Sequence, residues 1–205
     1  MPKTPWNDDY AAGDLPWDTG QPDPRLVEFI ESGAIVPGRA LDVGCGTGTD
    51  AIWLAERGFD VLGIDLSPLA VDQARSKLGA SKLRCRFAAL DFLAAAPAEP
   101  PFDFVFDRGC FHGFDEAEER SRFARRVAAA LTTGGLWLSL IRSTEGPARD
   151  KGSPCRSALD VISAIEPELE ILELRSIPSQ IESARAWFCL SRRRPDPEGP
   201  VTRSP

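Results

Sequence analysis

A glycine-rich segment stands where it could hold a small molecule. The segment LDVGCGTG places Gly44, Gly46 and Gly48 directly after a short apolar run, where a strand would turn into a helix. Glycine lets the backbone turn tightly and approach a ligand closely, and the free N–H groups of the following helix favour acceptor atoms. The place of the third glycine in the dinucleotide pattern G-x-G-x-x-G is taken by Thr49, which disfavours a nicotinamide dehydrogenase.

Three aspartates follow successive predicted strands. Asp42 opens the glycine segment and would suit a cationic amino-acid group, whereas Asp65 ends the run VLGID and could accept hydrogen bonds from both ribose hydroxyls of an adenosine. Asp91, in ALDF, could accept a hydrogen bond from an adenine amino group, with Phe92 beside it as an apolar wall, and Leu66, next to Asp65, is a further predicted cofactor-binding residue. Because ligands bind at the carboxyl ends of the strands in open α/β sheets, these acids form one predicted site. As the alternative, the first two acids would cap helices or loops and the third would be a turn residue.

The elements that must position these residues alternate between strand and helix. Apolar spacing, together with Ser67 and Pro68 at a helix start and Gly79 at its end, predicts helices at 25–33, 49–58, 67–79, 116–131 and 157–165. Predicted strands cover 39–43, 59–67, 83–90, 102–107, 136–141, 171–177 and 184–193. The alternation predicts a doubly wound, mostly parallel seven-stranded sheet with helices on both faces. The short gap between the last two strands predicts an antiparallel hairpin at the sheet edge.

Composition bounds the class of protein. The chain has 205 residues with a formal charge of −7, which suggests one globular domain and disfavours a nucleic-acid partner. With no apolar run long enough to span a membrane and no signal-peptide pattern, a soluble cytoplasmic protein is expected. Five scattered cysteines and a single histidine make a disulfide framework or a metal site unexpected. We predict a domain over 25–194, an aromatic segment over 1–24 and a disordered tail over 195–205.

The motifs LDVGCGTG, GIDLS, ALDF and FDFVFDRG resemble, in order and spacing, those of the class I S-adenosylmethionine-dependent methyltransferases. The resemblance covers roughly residues 25–194 and implies a Rossmann-like methyltransferase fold that binds S-adenosyl-L-methionine. It also places Asp107, at the end of the fourth strand, among the cofactor-binding residues, with the glycine segment and the three acids.

The N-terminal segment narrows this resemblance. Trp6, Tyr10 and Trp17, followed by DTG, look like the pattern W-x3-W-x6-W-D-x-G of the thiopurine, thiol and halide methyltransferases, with Tyr10 in place of a Trp. The segment FDRGCFHGFD is also similar to the tellurite-resistance-type members. The resemblance implies that the three rings contact and cover the cofactor. The alternative is that they only anchor the N-terminus to the core.

The segment FDRGCFHGF faces the transferring methyl group in this fold, and it supplies the two candidate catalytic residues, Arg108 and His112. A cation there would favour a thiolate nucleophile, because a free thiol has a pKa of ~8.5. As the alternatives, the histidine would be a general base for an oxygen or nitrogen nucleophile, or a structural residue. The polar stretch 142–157 is a candidate substrate-side loop.

The predicted function is therefore methylation of a small molecule, with a thiol or another soft sulfur, selenium or tellurium nucleophile as the acceptor. Oxygen-, nitrogen- or halide-directed methylation is the alternative within the same enzyme class. A cofactor-binding module without catalysis is the alternative from another class. The sequence sets no oligomeric state, and a monomer is plausible.

Overall fold

The computed structural model of the chain describes residues 6–13, 15–99, 101–146, 154–179 and 184–195. The predicted disordered tail therefore lies outside the described residues beyond Pro195, as does the 147–153 part of the candidate substrate-side loop. The helices are α1 Trp6–Ala12, α2 Pro24–Glu31, α3 Thr49–Glu56, α4 Pro68–Leu78, α5 Ala117–Ala130 and α6 Ala158–Ile165. The strands are β1 Arg39–Val43, β2 Asp60–Asp65, β3 Cys85–Ala89, β4 Phe102–Arg108, β5 Leu131–Arg142, β6 Glu170–Pro178 and β7 Arg185–Arg192.

The strands form one seven-stranded sheet in the order β3-β2-β1-β4-β5-β7-β6. The first five strands along the chain pair in parallel, whereas β7 pairs antiparallel with both β5 and β6. The predicted fold class and its edge hairpin are confirmed. The chain reverses its direction of strand addition at β1, between β2 and β4. Ligands in doubly wound sheets bind at such a switch point, outside the carboxyl ends of the strands.

Two apolar clusters cover the two faces of the sheet. Phe104 and Phe106 of β4 pack in the cluster beneath α2 and α3, whereas Val105 packs in the cluster beneath α5. This alternation follows from the period of two along a strand, which sends successive side chains to opposite faces. It also determines which face the polar residues at the end of β4 occupy.

Helix α4 begins and ends where its sequence predicts. Ser67 is its N-cap and accepts a hydrogen bond from the backbone N–H of Ala70 at 3.2 Å, Pro68 follows, and Gly79 is the C-cap. An N-cap of this type contributes about 1 kcal/mol to helix stability. The cap also fixes the turn that follows β2, which borders the predicted site.

Two elements differ from the prediction. Part of the aromatic N-terminal segment forms a short helix, α1, and the ring of Trp6 on this helix meets that of Trp17 in the same segment. Strand β5 begins at Leu131, directly after α5, rather than at residue 136. The pairing of β4 and β5 is irregular between Phe102 and Phe104, and β5 includes the Thr-Gly-rich residues 132–135, which lie between the predicted helix and the predicted strand. No helix in the described ranges has the length and apolar character needed to cross a lipid bilayer.

Candidate active site

The glycine loop between β1 and α3 lies at the carboxyl edge of the sheet. Its three glycines have positive φ angles, of 73° at Gly44, 54° at Gly46 and 79° at Gly48. The loop is tied to β2, because the backbone N–H groups of Gly44 and Cys45 both donate to the carbonyl of Ile64, at 2.8 and 2.9 Å. A side chain at the first glycine would also crowd Cys110, since an added Cβ would lie 3.1 Å from that residue's Cβ. The loop thus needs glycine for both its conformation and its clearance.

Asp65 joins this loop to the turn after β2. One carboxylate oxygen accepts from the backbone N–H of Gly46 at 2.9 Å, and the other accepts from that of Ser67 at 2.8 Å. Burial raises the pKa of Asp65. Each carboxylate oxygen has a further lone pair, so the group can still accept hydrogen bonds from a ligand. Leu66 beside it is 40% exposed and is available as an apolar surface.

Asp42 lies at the end of β1 and is only 2% exposed. Its Oδ2 atom has no hydrogen-bond partner among the described residues. Burial raises the pKa of Asp42 well above its ordinary value, and the nearby carboxylate of Asp50 adds to the shift. A buried carboxyl oxygen without a partner is costly, and such a group needs a partner of opposite charge or a proton.

Asp91 and Phe92 form the edge of the site after β3. One oxygen of Asp91 accepts from the backbone N–H groups of Leu93 and Ala94, at 2.9 and 3.2 Å, so the residue shapes its own turn as the alternative foresaw. Phe92 is buried and its ring packs edge-on against Phe123, with centroids 5.2 Å apart. The phenylalanine is therefore a core residue as much as a wall of the site.

The three aromatic residues of the N-terminal segment lie together. The rings of Trp6 and Trp17 meet edge-on with centroids 5.6 Å apart, and those of Tyr10 and Trp17 do so at 6.3 Å. Tyr10 is buried, and an added Cβ at Gly46 would lie 3.0 Å from its hydroxyl. The cluster therefore sits directly over the glycine loop.

A polar network holds this segment down, and we call it the latch: Asp18, Thr47, Thr49 and Lys77. Asp18 accepts hydrogen bonds from the hydroxyls of Thr47 and Thr49, and the Nζ of Lys77 lies 3.9 Å from its Oδ2. Lys77 also donates to Thr49 at 2.8 Å. The hydroxyl of Thr47 and the charge of Lys77 lower the pKa of Asp18 against the effect of burial. The latch joins the segment to both the glycine loop and α4.

Arg108 leaves β4 on the same face as Phe106, toward α2 and α3. Its Nε lies 3.2 Å from a carboxylate oxygen of Asp50, and its Nη1 lies 3.9 Å from one of Asp23. Asp50 also accepts from the backbone N–H of Asp23 at 2.7 Å. The guanidinium is thus engaged with two buried acids beneath the site, an arrangement that does not match the predicted role of favouring a thiolate.

His112 is buried in the short 3-10 helix Phe111–Gly113. Its Nδ1 accepts from the backbone N–H of Arg142 at 3.1 Å. Burial lowers the pKa of His112 to about 3, and the charges of Arg142 and Arg156 contribute. The imidazole is therefore neutral near pH 7, with its remaining proton on Nε2. Of the alternatives, this environment fits the structural role.

Asp107, which the resemblance places among the cofactor ligands, is fully buried on the opposite face of β4 from Arg108. Its carboxylate accepts from the backbone N–H of Phe111 and from the indole N–H of Trp137, both at 3.0 Å. Burial raises its pKa to about 6. These contacts make it the support of the loop that follows β4 rather than a surface for a ligand.

Two buried arginines also hold the loop after β4, and no sequence motif singles them out as site residues. Arg120 donates to the carbonyls of Phe114 and Asp115, at 2.9 and 2.6 Å. Arg156 donates to the carbonyl of Phe114 and the carboxylate of Asp115, both at 2.8 Å. Cys110 at the start of this loop has its pKa raised well above the ordinary value by burial and by surrounding carboxylates. The loop is fixed in position, and its thiol stays protonated.

The structure therefore brings most of the predicted cofactor residues together at one edge of the sheet, whereas the side chains of three predicted residues are engaged with protein partners there. The residues at the edge are Trp6, Tyr10, Trp17, Asp42, Gly44, Gly46, Asp65, Leu66, Asp91 and Phe92. Arg108 pairs with two buried acids, and Asp107 and His112 have hydrogen-bond partners inside the protein. The residues of the latch were missed, although Asp18 directly follows the third ring in the segment WDTG. That adjacency was the one available signal.

The family of the chain follows from comparison with known proteins. The model of the thiopurine S-methyltransferase family matches residues 1–177. The chain belongs to this family. The match includes the aromatic segment, the glycine loop and all five parallel strands, so the elements that build the site are family elements.

Similar curated proteins include two methyltransferases. The chain is 36% identical to probable thiol methyltransferase 2 of Arabidopsis thaliana over 138 residues, which is 66% of this chain and 60% of that protein. It is 31% identical to the 2-heptyl-1-hydroxyquinolin-4(1H)-one methyltransferase of Mycobacteroides abscessus over 127 residues, 62% of this chain and 55% of that protein. The chain thus spans somewhat more than half the length of these relatives.

Solved structures share the fold. One comes from a study of the conversion of a disulfide bond into a thioacetal group during echinomycin biosynthesis, with a TM-score of 0.76, 30% identity and coverage of 88% of this chain and 84% of that one. Another is the N-methyltransferase NodS of Bradyrhizobium japonicum, with a TM-score of 0.74, 18% identity and coverage of 92% and 98%. The predicted Rossmann-like methyltransferase fold is confirmed.

Proposed function

We propose that this protein is an S-adenosyl-L-methionine-dependent methyltransferase that acts on a small molecule, with a thiol or another soft sulfur, selenium or tellurium nucleophile as the acceptor. The observation that carries the proposal is the carboxyl edge of the sheet, where the glycine loop, Asp65 and the latched aromatic segment enclose one site. Membership of the thiopurine S-methyltransferase family supports it.

The residues of the edge fit this cofactor. Gly44 and Gly46 leave a space beside Cys110 and Tyr10 that any Cβ would narrow. Asp65 offers acceptor lone pairs to a ribose, and the unpartnered oxygen of Asp42 suits the ammonium of a methionine. Leu66 presents an apolar surface beside Asp65. We infer that these residues, with the rings of the aromatic segment, hold the cofactor.

When bound, the cofactor supplies a methyl group on a sulfonium, an electrophile that reacts by in-line displacement. The chain's own work is then to align the two partners and to exclude water, which accounts for a large share of such a reaction. The aromatic cluster over the glycine loop excludes water from the cofactor side. The loop after β4, fixed by Asp107, Arg120 and Arg156, provides a rigid wall on the acceptor side.

The state of His112 supports a thiol as the acceptor. With a pKa of about 3 and its Nδ1 engaged by a backbone N–H, the imidazole is a poor general base at neutral pH. A thiol needs little help, because with a pKa of ~8.5 a few per cent is already thiolate at pH 7. The names of the Arabidopsis relative and of the sulfur-converting structural relative point the same way.

A second candidate is an oxygen- or nitrogen-directed methyltransferase. The observation in its favour is the similarity to the Mycobacteroides abscessus protein, which is named as a methyltransferase of a hydroxyquinolone. An acceptor of that kind can itself be acidic, so it would not require His112 as a base either.

A panel of acceptors separates the two candidates. The full chain is incubated with the cofactor and with equal concentrations of thiols, halides, phenols and amines, and release of S-adenosylhomocysteine is measured. Turnover with thiols above the phenols and amines supports the leading proposal. Turnover confined to phenols or amines would replace it with the second candidate.

We also propose that the protein is cytoplasmic, with small-molecule partners rather than nucleic acid. Cys45, Cys85, Cys110 and Cys189 form no disulfide among the described residues, which suits a reducing compartment. The formal charge of −7 disfavours a phosphate backbone as a partner. A binding assay with duplex DNA at low salt tests whether nucleic acid is a partner. Gel filtration measures the oligomeric state.

A further inference from the structure

Arg108 connects three parts of the site that lie far apart in the chain. It ends β4, and its Nε lies 3.2 Å from a carboxylate oxygen of Asp50, in the first turn of α3. Its Nη1 lies 3.9 Å from one of Asp23, the N-cap of α2. The two acids also meet, because Asp50 accepts from the backbone N–H of Asp23 at 2.7 Å. One guanidinium thus joins the end of β4 to the helix after the glycine loop and to residues 18–23, the linker between the aromatic rings and α2.

The two acids depend on this cation. Only 7% of the Asp23 side chain and 8% of the Asp50 side chain are exposed, compared with 25% of the Arg108 side chain. Burial raises the pKa of both acids, and the charge of Arg108 opposes the rise in each, with that of Arg25 acting on Asp23 as well. A buried pair that loses one partner leaves an uncompensated charge, which is strongly destabilising. Without Arg108, two buried carboxylates would stand side by side without the cation that they share.

The linker is the part that would move under this repulsion. Asp50 lies in a helix and Arg108 in a central strand, whereas residues 18–22 belong to no helix or strand. Such segments open at a lower free energy than the elements packed around a core. At the other end of the linker, Asp18 belongs to the latch, and the charge of Arg108 adds to the groups that stabilise its carboxylate. The same guanidinium therefore acts on both ends of the linker.

We propose that Arg108 is a positioning residue that holds the aromatic segment over the cofactor, acting through Asp50 and Asp23 rather than on the acceptor. This inference rests on the proposed function, since it takes the cofactor to be the ligand beneath the rings. The guanidinium fixes the linker, the linker fixes Trp17 directly before it, and the rings slow the release of the cofactor. Arg108 thus determines how tightly the cofactor is held, although its segment FDRGCFHGF borders the acceptor side.

The test separates the cofactor from the acceptor. Calorimetry and stopped flow measure the affinity and the dissociation rate of S-adenosylhomocysteine on the full chain. The KM of the acceptor with the highest turnover in the panel above is measured at saturating S-adenosylmethionine. Arg108→Gln should weaken binding of S-adenosylhomocysteine by about tenfold, mainly through faster dissociation, and leave the acceptor KM unchanged. Arg39→Gln, which removes a pair with Glu99 at the opposite end of the sheet, is the matched control and should bind as wild type.

A second substitution tests the route through the acids. Asp50→Asn removes one buried charge, and its amide oxygen can still accept from the backbone N–H of Asp23. In Asp50→Asn/Arg108→Gln the affinity should return most of the way to that of wild type, which a general loss of stability would not produce. Arg108→Lys keeps the charge and should lose less affinity than Arg108→Gln. Unchanged affinity in Arg108→Gln, a raised acceptor KM, or no recovery in the double variant would overturn the inference and leave the proposed function in place.

The remaining outcomes are also decisive. If Arg108→Gln does not fold, the double variant takes its place: affinity and acceptor KM close to wild type support the inference, and a raised acceptor KM overturns it. If the wild-type chain binds no S-adenosylhomocysteine, the proposed function fails and this inference fails with it. If the chain binds S-adenosylhomocysteine but transfers no methyl group, the proposed activity fails, whereas the binding measurements still decide the role of Arg108.

Discussion

Substitution of Asp65 should weaken cofactor binding directly, because its carboxylate is the predicted acceptor for the ribose. Its carboxylate accepts two backbone N–H groups and has lone pairs left for a ribose. We expect Asp65→Ala to weaken binding of S-adenosylhomocysteine by more than tenfold, because hydrogen bonds to a charged acceptor contribute ~1.5–3 kcal/mol each. Calorimetric titration measures the loss. The matched control is Asp60→Ala, which removes the carboxylate at the other end of the same strand; equal affinities of the two variants would refute the ribose assignment.

For His112, in contrast, we expect substitution to have only a small effect on the reaction rate. Its Nδ1 acts as an acceptor, a role that a Gln side chain can take over, so His112→Gln should cost less than the ~10²–10⁴-fold expected when a general base is lost. The rate should rise toward the pKa of the acceptor thiol, measured as a pH–rate profile. An inflection near pH 6.5 that disappears in the variant would show base catalysis instead.

The stability of the same variant provides an independent check. Because the folded pKa of His112 is about 3, below its ordinary value of 6.5, the unfolded chain takes up the proton first as the pH falls. Wild type should therefore lose stability from this residue as the pH falls below 6.5, and the variant should not. Thermal unfolding at neutral pH and at about pH 5 measures the difference.

The roles of some of these residues could be predicted from the sequence better than those of others, and the reason is physical. Asp65 and the glycine loop were found because position after a strand suffices to bring them to the edge. Asp107 and Arg108 end a strand and His112 follows it, yet their side chains are engaged with partners inside the protein. Their direction depends on strand alternation and on partners 30 or more residues away, which a local motif does not encode.

At the scale of elements, the N-terminal segment should act as a cover rather than as part of the core. Tyr10 is buried but belongs to neither apolar cluster of the sheet. We expect deletion of residues 1–20 to spare most of the thermal stability and to abolish turnover. A truncated chain with normal kcat would show that Trp6, Tyr10 and Trp17 are only an anchor.

The latch holds the N-terminal segment against the glycine loop and α4. Asp18→Ala removes the acceptor of two threonine hydroxyls, each worth roughly 0.5–1.5 kcal/mol, and should weaken cofactor binding by about threefold to tenfold. Asp72→Ala removes an exposed acid from α4, the helix that carries Lys77, and is the matched control for the loss of one negative charge. Equal dissociation rates of S-adenosylhomocysteine from the two variants would remove the latch from the account.

Helix boundaries were predictable where caps are local, and the latch was not. Ser67, Pro68 and Gly79 mark α4 within a few residues of chain. The partners that hold the N-terminal segment lie 29 residues apart for Thr47 and Asp18, and 60 apart for Ser67 and Asn7. Contacts over such separations form only once the sheet is assembled, so no local sequence pattern predicts them.

At the scale of the whole molecule, the acidic balance of the chain should favour the charged cofactor over its neutral product. The formal charge is −7, and three acids lie at the site: Asp18 and Asp65 accept hydrogen bonds from Thr47 and Gly46 of the glycine loop, and Asp42 lies near the end of β1. S-adenosylmethionine has a net positive charge and S-adenosylhomocysteine has none. We expect a rise in salt from about 0.02 M to about 0.5 M to weaken binding of the former more than of the latter, because ions screen the attraction. Parallel salt dependences in calorimetric titrations would contradict this.

The most direct test of the central claim follows the methyl group itself. The full chain is incubated with S-adenosylmethionine carrying a deuterated methyl group and with a mixture of small thiols, phenols and amines, and the products are identified by mass spectrometry. The proposed function predicts a labelled methyl thioether formed in equal amount with S-adenosylhomocysteine. Label found only on oxygen or nitrogen, or no transfer of label at all, would contradict it.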